Sequence, residues 1–177
     1  MAFCSPTNAS DQVVNEREEM TRKRFSADEM LGSLARWLRL MGYDTRYERD
    51  SSDTEILERA RVEGRVLLTR DKKLAERAKE QGLYIDVRDL DDQIRQVITV
   101  FGLKFLEDLS RCTACNGELM LISREEASKG VPEGALQSNE QFYRCRSCGK
   151  YYWKGSHWKN IQKKMETLFR PDQDSSR

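Results

Sequence analysis

The sequence predicts an α/β protein in which a parallel sheet carries helices on its faces, followed by a small zinc ribbon and a C-terminal helix. Two observations carry this. Between residues 22 and 110, short apolar runs suited to strands alternate with segments of helical period, the pattern of a parallel sheet covered by helices. Beyond them stand two Cys-x-x-Cys pairs, Cys112/Cys115 and Cys145/Cys148, separated by 29 residues. The chain thus divides into a tail (1–21), an α/β domain (22–110), a ribbon (111–158), a basic helix (159–170) and a second tail (171–177).

The elements follow in order. A strand around Arg24 to Ala27 runs into Asp28, and Met30, Leu31, Leu34, Leu38 and Met41 then recur at helical spacing up to Gly42. A weak extended segment covers Thr45 to Tyr47. Ser52 and Glu55 form a capping-box pattern, opening a helix that Gly64 stops. Arg65 to Thr69, with Val66-Leu67-Leu68, is the clearest strand. Asp71 opens a helix that is expected to stop at Gly82, Leu83 to Val87 reads as another strand, and a helix spans Asp91 to Phe101.

Four sulfurs at this spacing suit one tetrahedral Zn²⁺ at about 2.3 Å from each. A closed four-thiolate site leaves no open position for substrate, so the metal is expected to build the module. No apolar signal segment follows Met1 and no apolar stretch reaches membrane-spanning length, which argues against disulfides and against a membrane and makes the cytoplasm the expected compartment. Cys4 receives no role.

The net charge of +1 hides an asymmetry. From Phe142 to Arg170 there are eight lysines and arginines against the single acid Glu166, interleaved with Phe142, Tyr143, Tyr151, Tyr152, Trp153, Trp158 and Phe169. Cations for phosphates and π-faces for bases are what a single-stranded nucleic acid surface needs. The competing account makes the aromatics the ribbon's small core and the lysines a solvated helix face. Arg144, Lys150, Trp153, Lys154 and Trp158 are the RNA-contact candidates in this segment.

Asp28, Asp53 and Asp71 each stand at or near the start of a helix. Singly, each is explained as a helix cap. Together they suggest more, because every strand of a parallel sheet ends on the same edge, where ligand sites gather. Converging carboxylates call for a cation, and hard oxygen ligands suit Mg²⁺ or Mn²⁺. Such an ion serves phosphodiester hydrolysis by activating a water and stabilising the leaving oxygen. Asp86 and Asp89 are ambiguous sources of a fourth carboxylate.

The stretch from Phe25 through Asp28, Trp37 and Arg39 to Gly42-Tyr43-Asp44 resembles the opening motif of the Mut-seven C-terminal RNase family of PIN-like domains, and Leu67-Leu68-Thr69-Arg70-Asp71-Lys72-Lys73-Leu74 resembles a second. The cysteine pairs, Phe142-Tyr143-Arg144 and Tyr152-Trp153-Lys154-Gly155-Ser156-His157-Trp158 are similar to the ribbon that ends its members. The resemblance, covering residues 23 to 160, implies a three-layer PIN-like fold and metal-dependent cleavage of RNA, with Asp28 and Asp71 at the family's acidic positions and Asp53 at a looser match.

Around those acids, Arg36 and Arg39 either hold a phosphate or lie on a solvated helix face, and Arg70, beside Asp71, is the better phosphate candidate. Trp37 reads as core. His157, the chain's one histidine, is expected to be structural or to contact RNA. Three rivals stand beside the ribonuclease: a ribosomal-RNA maturation endonuclease, a non-catalytic RNA-binding or adaptor protein whose acids only cap helices, and a receiver-like phospho-acceptor. The chain has no glycine-rich phosphate loop and no Ser/His/Asp constellation, which removes nucleotide kinases and serine hydrolases.

Overall fold

A computed structural model describes residues 23–107 and 109–170. Strands β1 (Phe25–Ala27), β2 (Thr45–Tyr47), β3 (Val66–Thr69) and β4 (Gly82–Tyr84) form a wholly parallel sheet in the order β2-β1-β3-β4. Helices α1 (Gly32–Leu40), α2 (Asp53–Glu63), α3 (Lys72–Ala78) and α4 (Leu90–Phe101) connect and follow the strands.

Side-chain alternation along the strands sorts the helices into two layers. Phe25, Ala27 and Leu68 point to one face, where Leu34 and Leu38 of α1 and Ile94 and Val97 of α4 enclose them. Leu67 points to the other, against Ile56 and Ala60 of α2 and Leu74 of α3. The α/β class expected from the sequence is the class found.

Local chemistry sets most boundaries. Ser52 and Glu55 make the reciprocal capping box, and Gly64 closes α2 in the left-handed region at φ 61°, which costs glycine little. Gly82 departs from its expected part as a helix stop. The helix ends earlier, at Ala78, and Gly82 opens β4, because a Cβ at this position would lie 2.6 Å from the Ala75 carbonyl oxygen. β4 also stops at Tyr84, short of the expected Val87, although the Ile85 amide still donates to the Thr69 carbonyl.

The ribbon is a three-stranded antiparallel sheet, β5 (Leu119–Ile122), β6 (Phe142–Cys145) and β7 (Tyr151–Trp153), with two short helices, α5 (Arg124–Ala127) and α6 (Glu133–Ser138), between β5 and β6. Its own core is Ala127, Val131 and Phe142. The last helix, α7 (Ser156–Phe169), begins before the expected residue 159 and lays Met165 and Leu168 into the core of the α/β domain. Lys164 fixes it to α4 through Asp91.

A joint at the start of β2 ties the two sheets together. Asp44 accepts from Arg65 Nη1 at 2.7 Å and from Asn116 Nδ2 at 2.7 Å, while Arg111 stands 3.7 Å away. Arg65 also donates to the Phe25 carbonyl, and the Thr45 amide donates to Asn116 Oδ1. Burial pushes the Asp44 carboxyl up, but the Arg65 and Asn116 hydrogen bonds and the charges of Arg65 and Arg111 outweigh it, leaving its pKa below the usual value. A depressed carboxylate contributes stability above its unfolded pKa of about 3.9, and that contribution is lost as pH falls through the lower folded value. Asp44→Asn is therefore expected to cost roughly 3 kcal/mol at pH 7, the scale of breaking one side of a buried pair. Urea unfolding at pH 7 and near pH 3 checks this: the deficit should narrow at acid pH.

Candidate active site and zinc centre

The parallel register puts the residues that follow β1, β2 and β3 on one edge. Asp28 follows β1 and is buried. Its Oδ1 accepts from the Met30 amide at 3.0 Å, capping the 3₁₀ turn Glu29–Leu31, and its Oδ2 accepts from the Arg70 amide at 3.0 Å and from the Thr69 hydroxyl. Thr69 Oγ1 in turn accepts from the Asp71 amide at 2.9 Å. The Asp28 carboxylate and the main-chain amide of Asp71 are thereby joined through a single hydroxyl. Asp71 Oδ1 caps α3 by accepting from the Leu74 amide, and Oδ2 has no hydrogen-bond partner among the described residues.

Asp53 is placed differently. It is the first residue of α2, half exposed, and pairs with Arg77 of α3 at 2.9 Å. Among the described residues, no set of three carboxylates brings its oxygens together at metal-ligand spacing. Asp89 caps α4 by accepting from Asp91 and Asp92, and Asp86 is exposed.

Sequence reasoning missed Thr69, the link between the two acids, and Glu48. Glu48 follows β2 as Asp28 follows β1, is 2% exposed, accepts from Ser26 Oγ at 2.7 Å and is paired with Arg46 and Arg59. No sequence signal marked Glu48; only the parallel pairing of Ala27 with Tyr47 places the next residue of each strand side by side.

The second centre is the four cysteines. All four sulfurs lie within 4.8 Å of one another, with Cys112–Cys148 at 3.6 Å and Cys115–Cys145 at 3.5 Å. Sulfurs around a tetrahedral ion with bonds of about 2.3 Å stand about 3.8 Å apart, so the set fits one zinc, whereas a disulfide would bring a pair to about 2 Å. The two knuckles repeat one another. In each, the amide of the second cysteine points at the sulfur of the first, at 3.5 Å, and the next residue, Asn116 or Gly149, turns through positive φ. Cys4 lies outside the described residues.

Burial raises the Cys112 thiol, but hydrogen bonds from Tyr152 and from the Cys115 and Ala114 amides outweigh it and bring it down to about 6. Burial, together with the sulfurs around it, holds Cys115 up at about 12. Packed sulfurs cannot all ionise without a cation between them, which is the condition a zinc ion meets.

The knuckle Cys112–Cys115 sits on the domain's other edge, where the strands begin. Arg39, 7% exposed, donates to the Thr45, Thr113 and Ala114 carbonyls, so this candidate phosphate ligand clasps the ribbon to β2. Trp158 is also interior, 5% exposed and 6.0 Å from Phe105. Among the other RNA-contact candidates, Arg144 pairs with Glu126 and Lys154 bonds the Glu107 carbonyl. Lys150 and His157 are exposed, and Trp153 is half-buried. The side chains of Arg36 and Arg70 have no partner among the described residues. Acids outside the basic segment, Glu118, Glu126 and Asp91, thus offset part of its charge.

A parallel α/β domain with two linked acids at the strand ends, followed by a four-cysteine ribbon, defines the class of protein. The chain belongs to the Mut7-C RNAse domain family, whose model matches residues 23–165. No curated protein and no solved structure gives a significant match. Among the described residues, no helix is long and apolar enough to cross a membrane.

Zinc removal should act locally first. After chelation, hydrogen exchange is expected to quicken at Thr45, whose amide rests on Asn116, and through the knuckles, while β3 amides such as Leu68 keep their protection. Uniform loss of protection would mean that the α/β domain does not stand without the ribbon.

Proposed function

We propose that this protein is a metal-dependent, PIN-like ribonuclease of the cytoplasm, in which Asp28 and Asp71 hold a Mg²⁺ or Mn²⁺ ion and the ribbon helps to bind RNA. The observation that supports this best is the Asp28–Thr69–Asp71 link, set in a chain that belongs to an RNase domain family.

The donor set fits such an ion. Mg²⁺ keeps several waters and takes one or two protein carboxylates, and two acids joined through one threonine offer that number. When bound, the ion would supply a water of lowered pKa and positive charge against the phosphate. The chain's own residues do the rest. Thr69 and the Arg70 amide hold Asp28 in one orientation, so its ligand atoms are set before substrate arrives. Asp71, whose Oδ1 caps α3, keeps its Oδ2 unengaged and so available to the ion. The free guanidinium of Arg70, next to Asp71 in sequence, binds a non-bridging phosphate oxygen in the planar manner arginine favours. Asp53, held by Arg77, has the lesser part.

Cleavage of a labelled RNA panel by zinc-loaded protein with Mn²⁺ or Mg²⁺ tests the assignment. Asp71→Asn and Asp28→Asn are each expected to lose roughly 100-fold or more in rate, and Asp53→Asn well under that. Folding is checked by circular dichroism, because Asp28→Asn also disturbs the Thr69 bond. Full activity in Asp71→Asn would remove the nuclease reading and leave the acids as helix caps of an RNA-binding protein.

A further inference from the structure

All three tryptophans of the chain and its single histidine converge on one cleft of about 370 Å³ between α1, α7 and the first zinc knuckle. Trp37 comes from α1, Trp153 from the end of β7, and His157 and Trp158 from the first turn of α7. Arg36 stands at the rim, exposed and with no hydrogen bond or ion pair to its guanidinium among the described residues. Trp158 is buried, and Trp37 and Trp153 pack half-buried against the domain and ribbon cores, yet together the rings line a hollow instead of filling it.

From this geometry we infer that the cleft is a nucleobase subsite: it takes one unstacked base of a single-stranded RNA, with Trp153 as the stacking platform and Arg36 on the adjacent phosphate. This rests on the ribonuclease reading for the identity of the polymer. The choice of Trp153 follows from what covers the other two rings. Lys164 Nζ lies 5.0 Å from the Trp37 ring centre and Lys154 Nζ lies 5.0 Å from that of Trp158, so each already has a cation over it. Among the described residues Trp153 has none; it is half-buried, packs against the ribbon core of Ala127, Val131 and Phe142, and lines both this cleft and a second hollow on the side of α6. Gly155 leaves room for the indole, since a Cβ there would meet Trp153 Nε1 at 2.8 Å.

The cleft is a base site rather than a second cleavage centre because no carboxylate among the described residues lines it. Its content is aromatic faces, hydroxyls and a cationic rim, which matches a base and its phosphate. The hydroxyl of Thr113 can meet a base edge, while that of Tyr152, 3.5 Å from it, is engaged with the Cys112 sulfur. A path leads from the cleft to the acids. Ser33 and Arg36 are exposed on the same side of α1, and the helix climbs about 10 Å between its start beside Asp28 and Trp37 to Leu40. A base held in the cleft therefore fixes where the strand crosses the Asp28–Asp71 edge, so cutting falls at a set offset from the held base and very short oligomers are poor substrates.

The test uses the full zinc-loaded chain carrying Asp71→Asn, so that binding is read without cleavage. Titration with a labelled single-stranded oligouridylate, followed by polarisation and by tryptophan emission, should show saturable quenching of the tryptophans. Trp153→Ala should weaken binding roughly 5- to 150-fold, the range for losing one base stack, and Trp153→Phe should restore most of it. A perfect duplex of the same length, whose bases are already stacked, should show no dependence on residue 153. Arg36→Ala should lower the salt slope by about 0.7, one phosphate contact on a single strand. Zinc content and circular dichroism confirm that each variant is folded. Single-strand affinity within twofold of the parent in folded Trp153→Ala, or an equal loss on duplex, overturns the subsite. So would an absence of quenching by RNA together with concentration-dependent self-association lost in Trp153→Ala, which would assign the cleft to a second copy of the chain. The nuclease reading fails separately, on absence of metal-dependent cutting by the parent protein with Trp153-dependent binding retained.

Discussion

The Asp44 joint is the constraint on which the rest of the structure depends. One carboxylate at the start of β2 is shared by Arg65, which also holds the start of β1, and by Asn116, which belongs to a zinc knuckle. Removing Asp44 strands the Arg65 charge in a largely buried site, which is costly. The joint thus fixes the order of strand starts and seats the ribbon on that edge. It leaves the opposite edge, where the strands end, clear for Asp28, Thr69 and Asp71. The four-cysteine cluster and the candidate chemistry are in this way kept at opposite ends of one short sheet.

That separation gives each group of cations its own task. Arg39, Arg65 and Arg111 are engaged in joining the ribbon to the domain. Arg36 and Arg70, whose guanidinium groups have no partner among the described residues, lie toward the cleft and the acids respectively. Net charge along the sequence could not separate these tasks, because the acids that offset Arg144, Arg146 and Lys164 come from segments well outside the basic stretch.

Much of the fold was legible because local rules and tertiary demands agreed. The capping box at Ser52, the left-handed Gly64, the apolar run of β3 and the paired cysteines each announce one structure, and each is found. Gly82 was misread because a glycine after a helical run signals a stop, whereas here its missing side chain admits the Ala75 carbonyl. Asp28 and Asp71 were visible as acids after strands. Thr69 was not, because a strand-terminal threonine in an apolar run reads as β-propensity until the parallel register sets it against Asp28. Arg39 and Trp158 looked like RNA contacts by residue type, and only the packing shows that a carbonyl cluster takes one and the core the other. Glu48 was hidden by the weakness of β2, a three-residue strand with no apolar run to mark it.

The central claim is that the Asp28–Thr69–Asp71 edge directs water at an RNA phosphodiester, and the ends of the products test it most directly. Cleavage in ¹⁸O-labelled water with Mn²⁺, followed by mass spectrometry of the fragments, should yield linear phosphate termini carrying one solvent oxygen. Termini that are 2′,3′-cyclic phosphates without solvent oxygen would show attack by the RNA's own 2′-hydroxyl, and would contradict the account.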